Sequence, residues 1–260
     1  MSHFEVVSVK LNTQDPAGGP YSDKCTGGPG QPSPSLWICP RTNLIGLLNL
    51  AFGLEVYQFM PRPDSMVRTF LTVEARLPAS TTKAQFQEML RNMLIERFGL
   101  VWHWKESEAT VYKMVRDPGG VKLHESVPDA SAAVTNYGKP AGTTIGKDRF
   151  PILPEGVSAL VGLNNHNRWR SSNVTTADIA WVLRWEFKTD VIDETGLTGH
   201  YDVNLRWESP SVDMGPGVIP FEGPDAKTEF RKELGLRLEP VKGTVKTFVV
   251  DHMDKAPTGN

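Results

Sequence analysis

The amino-acid sequence predicts an α+β fold with mixed and antiparallel sheets and with helices packed on one face. Short stretches rich in β-branched residues alternate with longer stretches that carry apolar residues at helical spacing. Glycine or proline residues end most of these stretches. The order of the stretches in the first part of the chain recurs in the second part, which indicates an internally duplicated αβαββ unit.

The first half of the chain is predicted to contain two helices between strands. Phe4–Lys10 alternates with period two and is rich in valine, which is typical of a strand. Thr42 precedes a helical pattern over 43–52 that Gly53 ends, so we predict that Thr42 caps this helix. The other elements predicted here are a strand over 70–77, a helix over 83–98 capped by Ser80 or Thr81, and a hairpin of two strands over 101–106 and 110–115.

The second half follows the same order. Thr175 or Thr176 is predicted to cap a helix that runs to about 187, and Asp225 to cap a helix over 226–234 that Gly235 ends. The Phe-Gly-Leu stretch at 98–100 corresponds to Leu-Gly-Leu at 234–236. The strands predicted in this half lie over 169–174, 201–207, 236–239 and 245–251, and the last two are expected to pair.

The repeat divides the chain into three predicted segments. Residues 1–116 form the first α+β repeat with its N-terminal strand and a Gly/Pro-rich loop, 117–165 form a loop-rich linker, and 166–260 form the second repeat. Chance similarity of two α+β stretches is the alternative to duplication. Two such units can form one continuous sheet or two lobes with a groove between them.

Charge and composition argue against two kinds of partner. The 260 residues include 28 Lys and Arg against 30 Asp and Glu, and the resulting net charge of −2 gives no electrostatic reason to expect nucleic acid. The longest nearly apolar run, Leu44–Leu54, is 11 residues long, whereas a membrane-spanning helix needs about 20. We therefore expect neither a nucleic-acid partner nor a membrane span.

The sequence motifs of several common enzyme classes are missing. The chain has no Gly-x-Ser-x-Gly, no His-Glu-x-x-His and no Gly-x-Gly-x-x-Gly after a strand. Its six histidines are scattered without metal-ligand spacing. These absences argue against serine hydrolases of the α/β type, zinc hydrolases and nucleotide-dependent enzymes.

The densest group of candidate site residues lies in the segment 190–202. Four carboxylates in this segment can supply the hard oxygen ligands that Ca²⁺ prefers: Asp190, Asp193, Glu194 and Asp202. His200 can then act as a general base near neutral pH, with Asp193 as a second catalytic candidate. The spacing is not that of an EF-hand loop. A purely structural turn, hydrogen-bonded by Asp193 and Thr195, is the alternative.

Two further features leave alternatives open. Asp251 and His252 at the end of the last strand are either a second candidate site or solvated end groups. The seven tryptophans lie mostly in predicted elements, where they fill the core or line an apolar pocket for an acyl chain.

The two cysteines, Cys25 and Cys39, are 14 positions apart in a Gly/Pro-rich stretch. In an exported protein they can form a disulfide, and in a cytosolic protein they would be two thiols. No signal peptide precedes the first strand, so either compartment fits the sequence.

Four stretches of the sequence resemble a family of proteins of unknown function that is greatly expanded in soil Acidobacteria: 4–10, 89–112, 191–202 and 234–252. The most specific of them is Val-Ile-Asp-Glu-Thr-Gly-Leu-Thr-Gly-His-Tyr-Asp at 191–202. The resemblance covers nearly the whole chain. Family members usually carry an export signal just before the first strand, so the resemblance implies export of the parent protein to the periplasm or the extracellular space.

A metagenome-derived, quorum-quenching lactone hydrolase of this group is also similar to the chain. This similarity implies hydrolysis of N-acylhomoserine lactones, assisted by Ca²⁺, with a small-molecule substrate that has an apolar acyl chain. The family supplies no catalytic residues, so the candidates in 190–202 depend on their own chemistry. The alternative function is an exported ligand- or peptide-binding module without catalysis, which the duplicated units and the missing motifs favour.

Overall fold

The structure, a computed structural model, describes residues 2–12, 25–59, 62–127, 136–137, 144–148, 150–153, 157–163, 165–209 and 224–259. Its helices and its mixed and antiparallel sheets confirm the α+β class. The chain forms two compact units: unit 1 comprises 1–107 and 246–260, and unit 2 comprises 108–245. None of the helices in the described ranges is long and apolar enough to cross a membrane.

Unit 1 contains an antiparallel sheet with three helices. Its strands follow the order β1-β4-β3-β2, and α1 packs against α3. Leucines of these two helices, among them Leu47, Leu48, Leu90 and Leu94, are fully buried in the core. The elements are β1 (Val6–Leu11), β2 (Thr26–Gly27), β3 (Leu36–Asn43), α1 (Leu44–Phe52), α2 (Asp64–Arg68), β4 (Phe70–Arg76) and α3 (Lys83–Phe98), with a short 3-10 turn over Val56–Gln58.

α1 begins one residue later than predicted and α3 spans the predicted residues, but other residues cap both helices. Asn43 caps α1, because its side-chain oxygen accepts a hydrogen bond from Gly46 N at 2.8 Å, while Thr42 still belongs to β3. Thr82 caps α3 through a capping box with Gln85. The predicted caps were therefore wrong; the hydroxyl of Thr81 instead donates to the carbonyl of Pro78.

Two long strands replace the two predicted hairpins, which were wrong. β5 (Val101–Arg116) and, at the end of the chain, Leu236–His252 are continuous, and they are neighbours in one sheet. The segment 107–109 has no glycine or proline that would reverse β5. Pro240 is tolerated in the second long strand because this strand lies at the edge of its sheet.

Unit 2 contains a five-stranded sheet in the order β6-β11-β9-β8-β7, in which only the β7–β8 pair is parallel. Three of these strands lie within the predicted linker over 117–165. The fully buried rings of Trp169, Trp207 and Phe230 lie in the core of this unit. The elements that follow β5 in the chain are β6 (His124–Glu125), β7 (Asn136–Tyr137), β8 (Ala159–Leu163), β9 (His166–Val174), α4 (Thr176–Phe187), β10 (Val191–Asp193), β11 (Tyr201–Glu208), α5 (Ala226–Leu234) and β12 (Leu236–His252).

The two halves of the chain share an order of elements. The series β3-α1-β4-α3-β5 corresponds to β9-α4-β11-α5-β12, and the first two strands of each series pair antiparallel. Thr175 caps α4, Asp225 caps α5 and Gly235 ends it, as predicted. The two compact units are defined by contacts between residues. The predicted boundaries 1–116, 117–165 and 166–260 are defined by a repeat in the sequence, so the units do not test them. Internal duplication stays a prediction.

Cys25 and Cys39 form a disulfide. Their Cα atoms are 4.2 Å apart, and Cys39 is fully buried in β3. The bond closes the segment that includes β2 and the start of β3. Disulfides are typical of proteins in oxidising compartments.

We expect loss of this disulfide to lower the free energy of unfolding by about 3 kcal/mol, because the bond restricts the unfolded chain. Thermal or urea unfolding with and without a reductant measures the difference. The C25S/C39S double variant is the control: it should be as unstable as the reduced protein and insensitive to reductant. Equal stability of reduced and oxidised protein would contradict this expectation.

A side chain of α5 accepts a hydrogen bond from the part of β11 that does not pair with β6. β6 pairs only with the first two residues of β11, and the N–H of Arg206 donates to Glu229 Oε1 of α5 at 3.2 Å. Glu229 is only 4% exposed. Burial raises the pKa of this carboxyl, and the hydrogen bond from Arg206 opposes that rise only in part.

This raised pKa gives a pH-dependent prediction. The folded protein binds the proton of Glu229 more tightly than the unfolded chain, so the stabilising contribution is complete at low pH and is lost as pH rises above 4.5 through the folded pKa. The E229Q variant resembles the protonated form. We expect the free energy of unfolding of E229Q, relative to that of the parent, to increase as pH rises. Urea unfolding at a series of pH values measures this difference. E74Q, at an exposed position of β4, is the control, and a difference between E229Q and the parent that does not vary with pH would refute the prediction.

Candidate functional site

The carboxylates predicted to bind Ca²⁺ have separate partners. Asp193 Oδ1 accepts hydrogen bonds from Thr195 N at 3.0 Å and from Thr195 Oγ1 at 2.7 Å, which matches the structural-turn alternative. Glu194 pairs with Lys113 at 2.8 Å, and Asp190 lies 4.0 Å from Arg184. Within the described ranges, no three His, Cys, Asp or Glu side chains are grouped so that they could hold a metal ion. The calcium site stays a prediction.

His200 and Asp202 both form hydrogen bonds with Ser126. The hydroxyl of Ser126 donates to Asp202 Oδ1 at 2.6 Å and accepts a hydrogen bond from Asn173 N at 2.8 Å. The backbone N–H of Ser126 donates to His200 O at 2.9 Å, and His200 Nδ1 lies 3.4 Å from Asn173 O. We call these four residues the Ser126 cluster. Asn173 is held there with a φ of 59°, a backbone conformation that asparagine tolerates better than most residues.

Asp202 also lines a cavity of about 540 Å³ in unit 2. This volume lies within the range of pockets that bind small molecules. Residues of β6, β9 and β11, the end of α5 and two loop segments form its wall. The lining residues are Lys122, His124, Val157, Ser158, Arg170, Ser171, Ser172, Asp202, Val203, Asn204, Glu233 and Leu234.

The cavity wall carries charges of both signs. Arg170 donates from Nε to Val157 O at 3.2 Å and from Nη2 to Leu153 O at 3.4 Å. Lys122 Nζ donates to Lys232 O at 2.9 Å. These backbone contacts hold the two cations, which line the cavity together with Asp202 and Glu233. A ligand in the cavity therefore meets both hydrogen-bond donors and acceptors.

His124 is a functional candidate that the sequence analysis missed. It lies directly opposite Asp202 in the antiparallel β6–β11 pair, and both residues line the cavity. Opposite residues in such a pair have Cβ atoms about 4.5–5.5 Å apart, so the side chains of His124 and Asp202 start from neighbouring positions in the sheet. β6 has only two residues and lies in the predicted linker, so no local pattern marked it. Only its long-range pairing with β11 reveals the site.

The other predicted candidates lie elsewhere. Asp251 Oδ2 is 2.8 Å from His103 Nδ1 and His252 Nε2 is 3.5 Å from Asp254 Oδ1, all at exposed side chains, which matches the end-group alternative. Trp37, Trp169 and Trp207 are buried in the two cores, and no tryptophan is among the residues that line the cavity. The apolar part of the cavity wall comes instead from Val157, Val203 and Leu234.

Comparison with protein families finds one match. The family model described as Protein of unknown function (DUF3738) matches residues 45–253, which is most of the chain. This confirms the predicted membership of a family of unknown function. Comparison with curated proteins and with solved structures finds no match. The similarity to a lactone hydrolase and the expansion in soil Acidobacteria stay predictions.

The Ser126 cluster predicts a stability effect. In the S126A variant the N–H of Asn173 and the carboxylate of Asp202 lose their hydrogen-bond partner, so we expect the free energy of unfolding to fall by about 1 kcal/mol. Urea unfolding measures the change. S158A, on the same cavity wall, is the matched control and should unfold like the parent protein. Equal losses in both variants would show that the cluster has no special role in stability.

Proposed function

The chain belongs to the family described as Protein of unknown function (DUF3738). Because this description names no function, we propose one from the geometry of the chain itself. The proposed function is the binding of a small polar molecule in the unit 2 cavity. The observation that carries it is a cavity of about 540 Å³ whose wall combines Lys122, Arg170, Asp202 and Glu233 with the hydroxyls of serines. Convergent polar groups of this kind fix the orientation of a ligand.

The wall also fits a ligand with an apolar part. Val157, Val203 and Leu234 supply apolar surface beside the charged groups. An N-acylhomoserine lactone has a polar ring and amide joined to an acyl chain, so it combines the same two properties. The Cys25–Cys39 disulfide supports the proposal that the protein acts in the periplasm or outside the cell.

Hydrolysis of the lactone ring is a second proposed function, favoured by the position of His124 beside Asp202. In this mechanism an imidazole nitrogen of His124 takes a proton from water, and the water oxygen bonds to the lactone carbonyl carbon. The ring C–O bond then breaks, and the imidazolium returns the proton to the departing ring oxygen to give an N-acylhomoserine. Asp202 would orient the imidazole and stabilise its positive charge, as carboxylates do in hydrolases that use histidine.

His200 and the calcium ligands remain proposals within the same function. Of the residues predicted in 190–202, Asp202 lines the cavity, and His200 lies in the Ser126 cluster beside it. A calcium ion would act by polarising the lactone carbonyl or by activating water. Dependence on His124, on His200 or on Asp193 distinguishes these versions of the mechanism.

One experiment tests binding and hydrolysis together. The purified protein is titrated with an N-acylhomoserine lactone by calorimetry and assayed for ring-opened product by mass spectrometry, with calcium and with a chelator. We expect saturable binding that D202N weakens at least tenfold, because the variant removes a charge from the cavity wall. Hydrolysis predicts a product whose rate falls at least about a hundredfold in H124Q, the range expected for loss of a general base.

The control variants separate the outcomes. H200Q and D193A test the predicted base and the predicted calcium ligand, and S158A controls for general damage to the cavity. Product formation that needs calcium and Asp193 would support the calcium site. Saturable binding without product would support the binding function and contradict hydrolysis. The absence of both binding and product would contradict both proposed functions for this ligand.

A further inference from the structure

Arg41 of unit 1 is a buried arginine without an acidic partner. It lies where the register between β3 and β4 shifts, between Cys39 and Thr42, and only 8% of its surface is exposed. Its Nε is buried and has no hydrogen-bond partner. Within the part of the chain that the structure describes, no carboxylate forms an ion pair with its guanidinium. The ring of Phe70 covers one face of the group, with Cζ 4.0 Å from the ring centroid.

A buried guanidinium of this kind is energetically unfavourable by itself. Arginine is always charged and presents five N–H donors in one plane, and buried charges in proteins are normally paired and hydrogen-bonded. Contact with an aromatic face compensates for only a small part of the lost hydration, and it leaves the buried Nε donor in the guanidinium plane without an acceptor. The arrangement therefore lacks an acceptor with a negative charge.

A second arginine of unit 1 has a similar environment. Arg62 precedes α2, its Nε is also buried without a hydrogen-bond partner, and burial lowers its pKa. α2 packs against β3, and Asn43 at the end of β3 donates from Nδ2 to Val67 O of α2 at 3.0 Å. The exposed arginine of α2 differs from both, since Arg68 pairs with Asp64 at 2.8 Å.

We propose that Arg41 is the centre of an anion-binding site in unit 1 that takes a carboxylate or phosphate group, with Arg62 as a second candidate contact. Phe70 covers one face of the Arg41 guanidinium, so the anion binds in the plane of the group, where two parallel N–H donors match two oxygens of a carboxylate or a phosphate. This site is independent of the cavity in unit 2 and of the function proposed there.

Thermal unfolding of the full chain tests the site with acetate and with phosphate as probes, in chloride buffers of matched ionic strength. A ligand that binds only the folded protein raises the melting temperature in proportion to the logarithm of its concentration above Kd. We expect such a logarithmic rise with one or both anions. A response to acetate alone indicates a carboxylate ligand, a response to phosphate alone indicates a phosphate ligand, and equal responses indicate a general oxyanion site.

The R41M variant gives the sharper readout. Methionine keeps an apolar side chain next to Phe70 and removes the unpaired charge, so without added anion R41M should melt at least about 2 °C above the parent protein. It should also lose the response to both anions. R76M, which removes an exposed arginine from β4, is the matched control and should keep the response of the parent.

The R41K variant covers the case in which R41M does not fold. Lysine keeps the charge but loses the planar arrangement of donors, so the apparent affinity for the anion should fall about tenfold or more. Titration of the Arg41 Nε–H signal by NMR gives a direct second measurement on the parent protein. The absence of any rise of the melting temperature with either anion in the parent, or an unchanged response in R41M, would overturn the proposal.

Discussion

The antiparallel pairing of β9 with β11 is the constraint on which unit 2 depends. Its register places Trp169 opposite Leu205 on the buried face and Arg170 opposite Asn204, two residues that line the cavity, on the other face. Because side chains alternate along a strand, a shift of one residue would exchange the apolar and the polar residues between the two faces. The cavity, the Ser126 cluster and the core are therefore consequences of a single register.

Two buried carboxylates of unit 2 and the buried guanidinium of Arg41 in unit 1 differ in their partners. In unit 2 the carboxylate of Glu186 accepts hydrogen bonds from Trp207 Nε1 at 3.0 Å and from Ser209 Oγ at 2.8 Å, and Glu229 accepts one from a backbone N–H. These groups join helices to the β9–β11 pair and have their acceptor capacity used within the protein. Arg41 of unit 1 has donors for which the described residues supply no acceptor. The rule that buried polar groups have hydrogen-bond partners thus accounts for the two carboxylates and points to a ligand at Arg41.

Local features could be predicted from the sequence, and long-range features could not. The helix α3 and its ending at Gly99 follow from apolar spacing and a single glycine, and the turn at Asp193 follows from its neighbours. The caps were misplaced because several neighbouring residues can accept the same hydrogen bond. The hairpins were wrong because the partner of β5 is β12, more than a hundred positions later, and His124 was missed because its two-residue strand has meaning only beside β11.

The position of β12 at the edge of its sheet has a consequence for solubility in concentrated solution. A strand of 17 residues with no described strand on its outer side is a template for pairing with other chains, which is how aggregation often begins. Pro240 interrupts the row of donors, and the exposed charges of Lys242 and Lys246 oppose the approach of a like edge. These three residues therefore lower the tendency of the long edge to pair with another chain.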